Sequence, residues 1–274
     1  MDKINTYLSL KAYPFLLALG ILFSLPSCGD DDNKDEPGLH PEPLNIDIAR
    51  GSVEDIDGNV YETVTIGNQE WMAENLRATR YNNGMDIAYP GNDAAAWTNN
   101  TTGAYGWYIN TEAANRDIFG AVYNWHAVNN AVGLCPAGWR VPTRNDWEQL
   151  EDYLKVEYSL SNSHEGTGSI GNRLKSCRQV RSPMGSGCAT LLYPRWAEHD
   201  THYGFDDFGF AAIPIGSRNS DGAFTDNAGY YGQYWTATAD GEENALYTYF
   251  TYDIGAVLRT SANKLNGYAV RCVR

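Results

Sequence analysis

Four cysteines limit the folds open to this chain more than any other feature. Of its five, Cys28 closes an N-terminal leader, while Cys135, Cys177, Cys188 and Cys272 lie in the body of the sequence. An even number in an exported protein reads as a disulfide framework, here two bridges with three possible connectivities. Cys177 and Cys188 bracket a segment rich in Gly, Ser and Pro and suit a local loop, which leaves Cys135 with Cys272 as a long staple to the last strand. No Cys-x-x-Cys or His-rich spacing points to zinc. Export is read from the leader itself. Lys3 and Lys11 precede an apolar run of 12 residues, Ala12 to Phe23, which suits a signal peptide and falls short of the roughly 20 that span a bilayer.

The run ends at Leu25-Pro26-Ser27-Cys28, which resembles the lipobox of bacterial lipoproteins, although Pro26 stands where a small residue is usual. The resemblance implies a signal peptide over 1–27, acylation (palmitate-type) at Cys28 and a membrane reached through that lipid anchor. Asp30, Asp31, Asp32, Asp35 and Glu36 follow with no apolar residue among them, so residues 28–50 read as an acidic, solvated tether. An acidic run directly after the cysteine also resembles the surface-export signal of Bacteroidetes lipoproteins, which implies an outer-membrane protein facing outward. Removing residues 1–27 takes away Asp2, Lys3 and Lys11 and moves the net charge from −14 to −15. That balance argues against a nucleic-acid partner. About 225 residues remain after the tether, enough for one well-buried core over 51–274.

That domain opens as a β-meander: Val53 to Ile56, a turn at Asp57-Gly58, a strand Val60 to Ile66 with Val60, Val64 and Ile66 on one face, then Gln69 to Leu76. Residues 81–107 read as loop. Residues 115–129 read as one helix with Phe119, Val122, Tyr123 and His126 on a stripe, and a packing role is expected for His126. Thr143 is a natural N-cap with Asp146 as its capping-box partner, followed by Trp147, Leu150, Glu151 and Leu154 at helical spacing. Residues 159–204 read as irregular. Strands are expected at 210–215, 233–238, 246–252, 256–260 and 267–273. The sum is an α+β domain with two helices, an N-terminal meander and a C-terminal antiparallel sheet.

Several of these segments, in the same order, resemble the Fibrobacter succinogenes major paralogous domain. They are Asp55 to Tyr61, Val64 to Leu76, Cys135 to Trp147, Gly209 to Pro214, Gly222 to Phe224, Tyr234 to Thr238 and Gly267 to Val273. The resemblance implies a C-type-lectin-like fold, a secreted or lipid-anchored location, and a Cys135–Cys272 bridge of the kind that staples the terminal strand of such folds. Sugar-binding C-type lectins hold Ca²⁺ through Glu-Pro-Asn or Gln-Pro-Asp together with Trp-Asn-Asp. Here the nearest approach is Glu242-Glu243-Asn244. A hard cation needs about six or more oxygens, so no cofactor is expected, Ca²⁺ being the one candidate cation. Gly138 to Trp147 also resembles the formylglycine-generating enzymes, but those need a reactive cysteine pair, and here the cysteines are committed to bridges.

The candidate ligand face lies in the tail. The sequence carries 19 tyrosines, and the tail is dense in them at Tyr230, Tyr231, Tyr234, Tyr247, Tyr249 and Tyr252. Strand alternation puts Leu246, Thr248, Phe250 and Tyr252 on one face and Tyr247, Tyr249 and Thr251 on the other, the second being expected to face solvent. The proposed ligand set is Tyr230, Tyr231, Tyr247, Tyr249, Thr251, Asp240, Glu243 and Arg259. This tail is also similar to the variable region of retroelement-diversified proteins, which implies interchangeable side chains on a rigid sheet. The expectation is a non-catalytic surface module that binds an extracellular protein or glycan. The alternatives are a structural or tip subunit of a surface assembly, or a polysaccharide-active enzyme drawing on carboxylates such as Asp206, Asp207 and Asp240.

Overall fold

A computed structural model describes Leu44 and residues 47–274. Cys28, the leader and most of the tether lie outside the described residues. The packed structure begins before residue 51: Leu44 and Ile48 rest against the core, and the Leu44 N–H donates to Asp207 Oδ1 at 3.0 Å.

The architecture is mixed α+β and mostly β. Three strands form the meander, β1 (Arg50–Glu54), β2 (Val60–Ile66) and β3 (Gln69–Met72), in the order β1-β2-β3 and all antiparallel. The first turn is held by Asp55, whose carboxylate accepts from the Asn59 N–H at 2.9 Å and the Tyr61 hydroxyl at 2.6 Å. That bond reverses part of the expected burial. Tyr61 is fully buried with Arg77 stacked over its ring, while Val60, expected on one face with the buried Val64 and Ile66, is 54% exposed. β3 stops at Met72 rather than Leu76, because the chain bends so that the Leu76 N–H reaches the Val270 carbonyl at 2.8 Å.

The expected helix over 115–129 is three elements: α2 (Glu112–Phe119), β5 (Ala121–Tyr123) and α3 (Trp125–Val128). Gly120 breaks it. Its φ is +72°, and a Cβ there would lie 2.7 Å from Asn75 Cβ, so only glycine lets the chain cross so close. Val122 and Tyr123 then face different cores, as strand neighbours do. β5 pairs with β4 (Tyr105–Trp107), which together with the short helix α1 (Ala94–Thr98) occupies the stretch read as loop. The described residues therefore hold five α-helices rather than two, although only α4 (Arg144–Tyr158) is long.

α4 forms as its sequence dictates. The Thr143 side chain accepts from the Asp146 N–H, and the Asp146 carboxylate returns a bond to the Thr143 N–H, a full capping box contributing about 1 kcal/mol. Burial pushes the Asp146 carboxyl up, but bonds from Arg140 and Thr143 outweigh it and hold the group below the usual carboxylate range. Trp147, Leu150, Glu151 and Leu154 are all buried. Trp147 sits among aromatic rings, with Trp71 at 4.9 Å and Phe210 at 5.6 Å between centroids.

The segment 159–204 is mostly irregular but includes α5 (Ile170–Leu174), which packs on the last strand so closely that a Cβ on Gly171 would lie 2.5 Å from the Gly255 carbonyl oxygen. The C-terminal sheet is β6 (Tyr231–Asp240), β7 (Asn244–Thr251) and β8 (Ile254–Asn263), antiparallel in sequence order. No regular strand forms over 210–215. Ala211 adopts φ +51°, and the Phe210 and Ala211 carbonyls are taken by the Arg271 guanidinium rather than by a strand. Residues 267–273 are likewise not one strand but a seam. Tyr268 bridges Tyr123, Ala269 bridges Tyr234, and Val273 bridges both Trp71 and Arg140. The two disulfides among the described residues are Cys135–Cys272 and Cys177–Cys188, with Cα atoms 5.9 and 4.9 Å apart, both separations a bridge can span.

Candidate functional site

The register of β6–β8 decides which tail side chains share a surface. Gln233 lies opposite Tyr249, Trp235 opposite Tyr247, and Tyr249 opposite Leu258. Directly paired residues project from the same face, so Tyr231, Gln233, Tyr247, Tyr249 and Leu258 share one. The opposite face carries Tyr234, Thr248 and Phe250, all fully buried against α4 and its neighbours.

The tyrosines on the first face are not equivalent. Tyr231 is 39% exposed. Tyr247 and Tyr249 are half-buried, with ring centroids 5.4 Å apart. Tyr247 also packs on Tyr268 at 4.6 Å and on Trp235 at 6.1 Å, and burial raises its hydroxyl pKa. It is the wall of a core as well as part of a surface. The Gln233 amide lies beneath, beside the Tyr247 and Tyr268 hydroxyls, and its Oε1 is buried with no hydrogen-bond partner among the described residues.

Four members of the expected ligand set do not share the centre of this face, and a fifth is buried. Tyr230 has the opposite parity to Tyr231 and stacks edge-on against Tyr252, 5.1 Å away. Arg259 lies opposite Thr248 and is ion-paired with Glu151 of α4, so it serves the helix side. Asp240 and Glu243 are exposed, but at the tip of the β6–β7 hairpin. Thr251 is 3% exposed, because the register shift before it turns the strand end inward. His126 is half-buried on α3, and desolvation lowers its pKa. Among the described residues no three His, Cys, Asp or Glu side chains gather as a metal-binding group, and no helix is long and apolar enough to cross a membrane.

Apart from this face, a concavity of about 490 Å³ was not anticipated from the sequence. Its floor is Arg271, 1% exposed, whose Nε donates to Asn75 Oδ1 at 2.9 Å and whose terminal nitrogens donate to the Phe210 and Ala211 carbonyls. The guanidinium stacks on Phe210 and Tyr234. Asp206 stands beside it. One carboxylate oxygen accepts from the Ala211 N–H at 2.7 Å, and desolvation pushes the carboxyl up to about 7 despite Arg271, Arg50 and Arg178 nearby. Both Asp206 and Ala211 hold left-handed backbone, φ +55° and +51°, a strain that collects at functional sites. One sequence signal pointed here. An arginine between buried Val270 and Cys272, in an otherwise apolar ending, needs a polar destination inside the protein.

A family model for the Fibrobacter succinogenes major domain matches residues 64–274. The chain belongs to this family. No curated protein and no solved structure matches it. In this Fibrobacter succinogenes major domain, three of the segments that carry the likeness, around Asn75, Gly209 to Ala211 and Arg271, are far apart in sequence and meet on one guanidinium. The likeness therefore resides partly in the floor of the cleft, and the tyrosines of the tail face lie above a separate aromatic core.

Proposed function

We propose that this protein is a non-catalytic, lipid-anchored binding module with a C-type-lectin-like fold, displayed outside the cell, and that it grips a protein or glycan through Tyr231, Tyr247 and Tyr249. The observation that carries the reading is the shared face of β6 and β7. Three tyrosines, two with rings 5.4 Å apart, share it with Gln233, whose amide oxygen lacks a partner among the described residues. Tyrosine offers large, rigid contact area at low entropic cost, as in paratopes, and an unpaired buried acceptor calls for a donor. A lectin-like fold is supported by the way the C-terminal segment closes on the N-terminal meander, Glu70 of β3 and Arg274 exchanging backbone bonds at 3.0 Å beside the Cys135–Cys272 bridge.

The test is a glycan and protein array probed with the purified protein, followed by the Tyr231→Ala/Tyr249→Ala double variant. Capture should be lost while the melting temperature holds, since both rings are partly solvent-facing. Capture that survives would remove the face from the mechanism. The anchor is tested separately. Cys28→Ala should abolish metabolic labelling with a palmitate analogue and release the protein from membranes.

A further inference from the structure

We propose that the cleft floored by Arg271 is a binding site in its own right, whose ligand is a small polyhydroxylated carboxylate, the chemistry of a hexuronic acid residue. The inference rests on how the charges around it are paired. Arg50 is engaged by Glu62 at 2.7 Å, and Arg77 by Glu74 at 2.9 Å with Asp117 at 3.8 Å. That leaves Arg178 without a paired carboxylate and Arg271 bonded only to neutral acceptors, with Asp206 beside both and Glu74 also felt by Arg271. Arg178 is half-buried, and its guanidinium makes no ion pair or hydrogen bond among the described residues. A concave site with an unspent guanidinium attracts an anion, and the planar fork suits a carboxylate held by two bonds.

The rim argues for a sugar acid rather than for a bare anion. Glu62 and Glu74 keep exposed carboxylates at the mouth, with side chains 50% and 39% exposed. They would accept bonds from hydroxyls and repel a dianion. Tyr193, 54% exposed and braced edge-on by Phe119 at 5.4 Å, gives the apolar face of a pyranose ring a surface to lie on. The size agrees too, since small-ligand pockets run to about 300–1,000 Å³. The floor is built before any ligand arrives, because Arg271 is fixed by three bonds and the Asp206–Ala211 loop by another. Asp206 adds a signature. Arg50, Arg178 and Arg271 face it, with Glu62 and Glu74 at the rim, so its protonation below about 7 leaves the arginines less balanced.

Calorimetric titration of the purified protein with D-galacturonate and D-glucuronate, against the neutral hexoses and inorganic phosphate, tests this. A uronate should bind about tenfold or more tightly than its neutral hexose and than phosphate, the worth of one charge-assisted bond pair. Its affinity should rise as pH falls from 8 to 6. Arg178→Gln should weaken it about tenfold with the melting temperature unchanged, whereas Tyr231→Ala/Tyr249→Ala should leave it intact, which separates this site from the tyrosine face. Equal affinity for the neutral sugar or phosphate, no uronate binding, indifference to Arg178→Gln, or loss of uronate binding in the tyrosine variant would each overturn the assignment.

Discussion

The tyrosine face and the arginine cleft are built in opposite ways. The face stands on three consecutive strands joined by short turns, so neighbouring side chains on it come from residues a few positions apart or one hairpin away. The cleft is assembled from segments between residues 50 and 271, and its floor is held by long-range polar bonds from Arg271 to irregular backbone and to Asn75. The face takes its shape from a repeating backbone and can exchange side chains at low cost. The cleft takes its shape from particular side chains and cannot.

The largest effect should come from a change that loosens both. The Cys135–Cys272 bridge closes 137 residues and fixes the seam that carries Tyr268 beneath the face and Arg271 beneath the cleft. On the loop-entropy account its removal costs about 5 kcal/mol, against about 3 kcal/mol for Cys177–Cys188, whose loop spans only 11. Cys135→Ser/Cys272→Ser should therefore lower the melting temperature further than Cys177→Ser/Cys188→Ser. Equal losses would show that the seam is held by its aromatic packing alone.

Arg271→Met separates the regions. It removes three hydrogen bonds and leaves the Phe210 and Ala211 carbonyls and Asn75 Oδ1 without that donor, a loss of about 3 kcal/mol or more. Hydrogen exchange should show the 206–212 loop loosened while the β6–β7 amides stay protected. Protection lost evenly across both would mean that the two regions open as one unit.

The same contrast explains what could be read in advance. The α4 capping box, the β2 boundaries and the division of β7 into Phe250 and Tyr249 faces follow from local period and turn chemistry, and each stands in the structure. The fate of 115–129 did not follow, because a helical stripe and a strand–helix junction look alike until Gly120 is seen pressed against Asn75. Phe210 to Ile215 is apolar enough for a strand, but its carbonyls belong to an arginine some sixty positions away. Arg259 joins the expected ligand set on sequence, yet its partner, Glu151, sits on a different element and holds it on the helix side. In each case the deciding contact is long-range, steric at Gly120 and polar at the other two, which alternation cannot report.

Within the face itself, Tyr247 and Tyr249 should differ. Tyr247 touches Tyr268 and Trp235 as well as Tyr249, so Tyr247→Ala should cost about 2 kcal/mol, whereas Tyr249→Ala should cost under about 1 kcal/mol. Thermal denaturation of the two single variants measures this. The result sharpens the division of labour, with Tyr249 and Tyr231 the replaceable ligand contacts and Tyr247 the fixed wall. Equal costs would place both rings on the surface.

The smallest effect belongs to the cleft and depends on pH. Burial raises the Asp206 carboxyl in the folded state to about 7 from its ordinary 3.8. A carboxyl whose folded pKa is raised binds its proton more tightly folded than unfolded, so ionisation works against folding. The penalty is absent below 3.8, grows as pH rises towards about 7, and is constant above that. Asp206→Asn keeps an acceptor for the Ala211 N–H but carries no charge. Its melting temperature should match the wild type at pH 3.5 and exceed it at pH 8 by roughly 2–4 °C, taking the screened gain as about 1 kcal/mol. A variant less stable at pH 8 would mean that Arg50, Arg178 and Arg271 together stabilise the ionised carboxylate. The cleft would then carry no excess of positive charge, and its pull on a carboxylate ligand would vanish with it.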